Sequence, residues 1–233
     1  MAAMASKLQS FNDSLNEAEK ANFKLLLGLA AGGLAPQFSR PHGGMGRTAF
    51  DAVTETLAGL QPYRDRIPKN GIAYRGTPNF LSDSLLESLQ NEAMELRPKA
   101  LRFEEHFLGC GAPIANELAV SSLLLEFVTE YAGEVESTGI ASYIFYDEAG
   151  QGIDPHIDTD IFSLNVLLML RHVAKSDKRS CLVLFSPNTE PERLDLQEGE
   201  LLLMFAGSVP HGREHIKQGE SVTILTFGFK PVV

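Results

Sequence analysis

Hydrophobic positions along this chain keep two rhythms, first one of about 3.6 residues and then one of two. From Ser14 to about Leu29, the residues Leu15, Ala18, Leu25, Leu26 and Leu29 form an apolar stripe, and Ser14 with Glu17 offers a capping box, which predicts a helix. Ala31-Gly32-Gly33 predicts its end, and Pro36 prevents resumption. Gln37–Gly46 reads as an irregular loop, and Thr48–Leu60 as a short helix stopped near Pro62. A short strand at Gly71–Tyr74 precedes a helix over Asp83–Arg97, with Leu85, Leu86, Leu89, Ala93 and Leu96 on one face and a second capping box at Ser84 and Glu87. Another helix is predicted over Ala115–Tyr131. From Ile140 the alternation changes, and Ile140–Tyr146, Ile161–Leu170, Cys181–Phe185, Glu200–Phe205 and Ser221–Phe229 all read as strands.

A helical half followed by a stranded half predicts an α+β protein, a sheet sandwich or barrel with helices packed on one outer face. A length of 233 residues allows one well-buried core. The expected organisation is a helical extension and loop over 1–70 and a stranded core over 71–233, together one structural unit.

Composition and charge narrow the function classes. A net charge of −10 argues against a nucleic-acid or anionic-membrane partner, both of which need a cationic field. Two cysteines, Cys110 and Cys181, are too few for a disulfide framework or a zinc cluster, and read as reduced thiols. The sequence Met1–Phe11 lacks the pattern of a secretory signal, and no apolar run approaches the ~20 residues of a membrane span. A cytoplasmic protein acting on a small molecule is expected.

Candidate chemistry concentrates in His156-Ile157-Asp158 and in His211, 55 residues after His156. Two imidazoles and a carboxylate can hold a redox-active iron on one face and leave its other positions open. His156 and Asp158 share one side of an extended segment because side chains alternate. Asp154 and Asp160 share that parity, so a hard-cation site or an acidic turn is the alternative. His215 competes with His211, but Gly212 and the flanking strands argue against a helical zinc pair. Along 161–171 the even positions are wholly apolar and predict the face under the helices. The mixed odd face (Ser163, Asn165, Leu167, Met169 and Arg171) predicts the lining of a reaction cavity, with Asn165 placed to bind substrate. Met169 and Met204 read as packing. His42–Arg47 is glycine-rich but lacks a phosphate loop's ending, and reads as a mobile loop or lid.

These motifs carry a resemblance. Asn79-Phe80-Leu81-Ser82 before a helix, the run Tyr146-Asp147-Glu148-Ala149-Gly150-Gln151-Gly152-Ile153-Asp154-Pro155-His156-Ile157-Asp158, Gly199–Phe205 before His211, and Gly219-Glu220 after it resemble the iron(II)/2-oxoglutarate-dependent oxygenases, in their prolyl-hydroxylase-like branch. The resemblance covers about Pro78 to Phe229. It implies a double-stranded β-helix (a jelly-roll, cupin-like barrel) with N-terminal helices on one sheet, and His156, Asp158 and His211 as iron ligands. It further implies 2-oxoglutarate and O2 as cosubstrates, release of succinate and CO2, and Tyr146 in contact with 2-oxoglutarate. Asp158 in the carboxylate position favours hydroxylation over halogenation.

The chain departs from the family where an Arg or Lys is usual, nine to eleven residues after the distal histidine. Glu220, Ser221 and Val222 stand there. Ser221 and Thr223 keep the hydroxyls that accompany that cation, but a buried dicarboxylate needs a positive partner. Arg171, fifteen residues after His156, matches the inner-strand basic residue of other branches, and Arg213 is the second candidate. The expected activity is hydroxylation of an unactivated C–H bond in an amino acid or natural-product intermediate. The missing cation also motivates an iron oxygenase of this fold that does without 2-oxoglutarate, and a non-oxygenase metal-binding barrel is the other alternative.

Overall fold

The computed structural model describes residues 2–35, 44–103, 105–175 and 178–232. Six helices, α1 (Ala2–Asp13), α2 (Glu17–Leu34), α3 (Gly44–Gly59), α4 (Asp83–Leu96), α5 (Pro113–Ala119) and α6 (Ser122–Ala132), occur among them. The strands are β1 (Ile72–Gly76), β2 (Leu101–Arg102), β3 (Phe107–Gly109), β4 (Val135–Tyr146), β5 (Ile153–His156), β6 (Leu164–Val173), β7 (Leu182–Leu184), β8 (Glu192–Leu194), β9 (Leu201–Met204), β10 (His211–Arg213) and β11 (Ser221–Pro231). A seven-stranded sheet runs β1-β9-β6-β11-β4-β3-β2, and a four-stranded sheet runs β5-β10-β7-β8. Every strand pairing is antiparallel. The architecture is α+β, with the double-stranded β-helix expected from the sequence.

Alternation along the long strands sorts side chains into two cores. Leu164, Val166, Leu168 and Leu170 of β6, with Leu225, Phe227 and Phe229 of β11, face Leu89 and Ala93 of α4, Ala115 and Leu118 of α5, and Leu124 and Val128 of α6. Leu167, Met169, Val222 and Ile224 face the other way, against Leu182, Leu184 and Leu194 of the small sheet. Met169 and Met204 are packing residues there, as expected. The helices divide accordingly, α4–α6 covering the large sheet. By contrast, α1–α3 lie at the small sheet, where Leu27 and Ala31 of α2 and Leu57 of α3 close over Ile157.

Local signals move several predicted boundaries. Ser14 does not cap α2, because its hydroxyl donates to the Phe11 carbonyl (2.6 Å) and finishes α1. Asn16 takes the role, accepting from Glu19 N (3.1 Å) while the Glu19 carboxylate accepts from Asn16 N (2.9 Å). The predicted stripe of α2 is likewise corrected, because both of its faces are apolar. Leu27 and Ala31 are buried, whereas Leu25, Leu26 and Leu29 are 63%, 63% and 67% exposed. Ser82, not Ser84, caps α4 through Leu85 N (3.2 Å). The predicted helix over 115–131 breaks at Val120, where Ser121 caps α6 through Leu124 N (3.2 Å). The predicted loop over Gln37–Gly46 lies outside the described residues as far as residue 43, and its last three residues are helical, since Gly44 begins α3. Among the described residues, no helix is long and apolar enough to cross a membrane.

One irregularity decides where Arg171 goes. Between β6 and β11 the register steps, pairing Thr223 with Arg171 but Ile224 with Met169. Leu170 is therefore an extra residue, a bulge that breaks the alternation. Its carbonyl accepts from Gln90 Nε2 of α4 (2.7 Å).

Candidate metal centre

Two short strands that the sequence did not announce carry the metal-ligating candidates. His211 of β10 pairs directly with His156 of β5. Gly212 permits this approach, since a Cβ there would sit 2.7 Å from the Ile153 carbonyl oxygen. Asp158 follows β5 and is tied back by its own N–H to the Ala206 carbonyl (3.0 Å).

Donor atoms of His156, Asp158 and His211 all lie within 4.8 Å of one another. Asp158 Oδ1 is 3.3 Å from His156 Nε2 and 3.6 Å from His211 Nε2. Each imidazole uses its other nitrogen on the backbone two residues earlier, His156 Nδ1 on the Asp154 carbonyl (2.9 Å) and His211 Nδ1 on that of Val209 (3.1 Å). A carbonyl can only accept, so Nδ1 carries the proton and the Nε2 lone pairs converge. Asn165 Nδ2 donates to Asp158 Oδ2 (2.8 Å), leaving Oδ1 turned to the imidazoles.

Electrostatics agree with a cation between them. Burial pushes His211 down to about 4, so its imidazole is neutral and ready to ligate. Burial alone would also lower His156, but the hydrogen bond and charge of Asp158 outweigh it and raise it. Asp158 is lowered overall, since His211, His156 and Asn165 together overcome its burial. A neutral His, an ionised carboxylate and a second His on one face, each oriented by another hydrogen bond, fit a divalent iron with open positions. His215 is exposed and lies outside this cluster, as do Asp154 and Asp160.

Beside the triad is a pocket of about 230 Å³ that also includes Tyr146, Asn165, Ile224 and Arg213. Arg213 shares the strand face of His211. It is 2% exposed, and burial lowers its pKa. Its Nη2 donates to the Ser180 carbonyl (3.2 Å) and hydroxyl (3.1 Å), while Nε has no partner. Its Cζ stands 5.5 Å from the Tyr146 ring centroid. Ser180 is in turn held by Glu220, whose Oε1 accepts from Ser180 N and Oγ (2.7 Å each) and from His172 Nε2 (2.8 Å). A buried guanidinium with a free N–H in a polar-ended cavity is a receptor for a carboxylate.

The other proposed cosubstrate residues are elsewhere. Arg171 is exposed and, with Ser221 and Thr223, lines a pocket of about 500 Å³ under α4, on the outer side of the large sheet. For Arg171 the cause is the Leu170 bulge. For Ser221 and Thr223 it is the parity of β11, which sends Val222 and Ile224 inward. Tyr146 and Asn165 do reach the cavity. Asn165 is spent on Asp158, which leaves its Oδ1 without a partner. His106, between β2 and β3, was missed by the sequence reading. It stacks on Phe103 (5.4 Å) and lies 5.9 Å from Tyr146. It sits in a region of mixed pattern, and only the folded hairpin brings it near the cavity.

A second, larger cleft of about 810 Å³ opens on the opposite side of His156 and Asp158. Its walls are α2, the end of α3 and the segment Asp154–Asp160. The backbones of α2 and β5 pass closely because Gly32 has no side chain. A Cβ there would stand 2.8 Å from the Pro155 carbonyl oxygen.

No protein-family model matches the chain, and no curated protein matches it either. Solved structures do. The non-heme alpha ketoglutarate dependent epimerase SnoN from nogalamycin biosynthesis aligns with a TM-score of 0.60 at 15% identity, over 77% of this chain and 83% of that one. A Pseudomonas putida prolyl-4-hydroxylase gives 0.55 at 17% identity, over 72% of this chain and 97% of that one. HygX from Streptomyces hygroscopicus, solved with nickel, 2-oxoglutarate and hygromycin B, gives 0.56 at 12% identity, over 70% and 84%. What these likenesses share with the chain is the fold.

Proposed function

We propose that this protein is an Fe(II)- and 2-oxoglutarate-dependent oxygenase that hydroxylates a C–H bond of a small molecule. The observation that carries this reading is one arrangement: converging Nε2 atoms and a carboxylate at one end of a pocket, and a buried, incompletely satisfied guanidinium in the same pocket. His156, Asp158 and His211 would hold the iron, and Arg213 the far carboxylate of 2-oxoglutarate. With those groups bound, the iron and cosubstrate supply an oxidation that inserts one oxygen atom from O2 and releases succinate and CO2.

The remaining roles belong to the chain's own side chains. Asn165 fixes the Asp158 carboxylate so that one oxygen faces the cavity. The Val209 and Asp154 carbonyls set the tautomers of the two imidazoles. Apolar side chains around them, Leu167, Leu182 and Ile224, would lower the polarity of the pocket around a bound cosubstrate. Tyr146 stands against the Arg213 guanidinium, its phenol kept protonated by complete burial.

Neighbours of the same fold that are described as 2-oxoglutarate-dependent, or were solved with 2-oxoglutarate, support this reading. The alternative without 2-oxoglutarate drew on Ser221 in place of a cation. That argument loses its basis when Ser221 faces outward and Arg213 inward. Anaerobic titration with Fe(II) and 2-oxoglutarate tests the proposal. The visible charge-transfer band of an iron-bound keto acid is expected in the wild type and absent in His156→Ala. A wild type that takes up Fe(II) and gives no band would refute 2-oxoglutarate use.

A further inference from the structure

The inner pocket and the outer cleft meet at His156 and Asp158, and they differ in size. The inner one, at about 230 Å³, suits a compact cosubstrate. The outer one, at about 810 Å³, lies toward the upper end of the roughly 300–1,000 Å³ that holds drug-sized ligands, far more than a free amino acid fills.

Its lining is apolar along one face of α2. Leu25 and Leu29, one turn apart, are 63% and 67% exposed into it, while Gly28 and Gly32 floor it beside the metal-ligand strand. Two leucines held in water on one wall of a cleft that ends at a candidate metal site suit an apolar ligand face. Charges at the rim cancel in pairs. Lys20 bonds Glu17 (2.8 Å), and Lys24 reaches across the mouth from α2 to Asp160 (3.3 Å). Asp154, exposed on the same rim, is the carboxylate outside these pairs and the metal ligands. An anionic ligand would meet no uncompensated cation here.

We propose that this cleft is the substrate site, and that it takes a bulky, amphipathic small molecule, neutral or amine-bearing, with its apolar face along Leu25 and Leu29. The proposal rests on the metal-centre reading above and sharpens it. The substrate's reacting C–H lies at the His156–Asp158 edge, and its polar groups lie toward Lys24, Asp154 and Asp160. Amino acids, carboxylates and phosphates are disfavoured by size and charge. Leu25 and Leu29 are specificity-determining residues, and the exposed Lys24–Asp160 pair is weak enough to part when ligand enters.

The test uses the full chain and Nile red, a neutral fused-ring dye that brightens in apolar surroundings. Wild type, the double variant Leu25→Ser/Leu29→Ser, and Leu26→Ser are titrated side by side. Leu26 is as exposed as Leu25 but does not line the cleft, so it reports general stickiness. All three residues are on the surface, and circular dichroism should show unchanged folding. Loss of two apolar contacts should weaken dye binding about tenfold or more, with less than about a twofold change in Leu26→Ser. An equal loss in Leu26→Ser, or none in the double variant, would overturn the proposal. In a second arm, wild type loaded with Mn(II) should broaden the dye's proton resonances, because cleft and ligands adjoin. His156→Ala should lose the broadening and keep the fluorescence. Dye bound to Mn(II)-loaded protein without broadening places it elsewhere and also overturns the proposal. Failure of Mn(II) to bind would instead count against the metal centre, and the fluorescence comparison would still decide the cleft.

Discussion

Arg171 and Arg213 offer the same guanidinium to two different surroundings. Arg171 lies on the outer side of the large sheet, exposed, in an open pocket it shares with Glu87 and Glu198. Arg213 is 2% exposed, hydrogen-bonded only through Nη2, with Nε unpartnered and no described carboxylate in salt-bridge contact. Water already solvates the first, so an incoming carboxylate there gains little. The second has been stripped of water and given only part of its hydrogen-bonding complement. A carboxylate entering that cavity restores what burial removed. A cation's reach toward a ligand is thus set by what its fold leaves unsatisfied, and spacing along the chain is a weak guide to it.

The largest expected effect tests that contrast directly. Arg213→Ala should raise the 2-oxoglutarate concentration needed for the charge-transfer band by about a hundredfold or more, since it deletes a buried charged partner. Arg171→Ala should change it by less than about twofold. Fe(II) affinity should stay within a few-fold in both. Arg213→Lys keeps the charge but not the fork, and should fall between Arg213→Ala and wild type. A larger effect at Arg171 would invert the comparison.

Strand β6 contains the contrast in miniature, since Asn165 points inward and Arg171, past the bulge, outward. Asn165→Leu removes the donor that holds Asp158 Oδ2 and frees that carboxylate to rotate. Loss of such an outer hydrogen bond should weaken Fe(II) binding about 10- to 100-fold. It should leave the ratio of 2-oxoglutarate to iron affinity closer to wild type than Arg213→Ala does. Calorimetric Fe(II) titration under nitrogen checks this.

The legible parts of the molecule are those where one physical signal dominates. The strands β6 and β11, and β4 over 141–146, lay their two faces against separate cores, and their apolar positions stood out in the sequence. The clustering of His156, Asp158 and His211 was legible because few residue types bind iron, which singled these three out as candidates. Strands β5, β8 and β10 were not, since three or four residues are too short to show a period, and Gly212 and Pro155 argue locally against a strand. The fate of Arg171 was hidden by a one-residue bulge that only the pairing of β6 with β11 reveals. Arg213 was legible as a candidate, but its burial and its unpartnered Nε were not, because both arise only in the folded chain. The apolar stripe of α2 misled for a related reason. A helix with leucines all round does not say which face the fold will cover, and here the uncovered face borders the cleft.

Glu220 offers the finest test, because it holds Ser180, the residue to which Arg213 donates. The oxygenases that the sequence resembles usually have a cation near this point. Here the residue is a buried carboxylate. Burial would push Glu220 up, but N–H groups of Lys217 and Ser180, His172 and the Ser180 hydroxyl pull it down to about 2, against an ordinary 4.5. Since the folded value is the lower one, this carboxylate stabilises the fold above pH 4.5, and that stabilisation is lost as pH falls toward 2. Its full size is on the order of 3 kcal/mol. Glu220→Gln should therefore be less stable than wild type in urea at pH 7, with the gap closing progressively below pH 4.5. It should also loosen Ser180 and weaken 2-oxoglutarate binding by a few-fold to about tenfold, since charged hydrogen bonds are worth roughly 1.5–3 kcal/mol and only part of that reaches Arg213. A purely structural role would show the pH-dependent stability and leave 2-oxoglutarate binding untouched. The two readouts together decide whether Glu220 positions the arginine or only staples the loops around it.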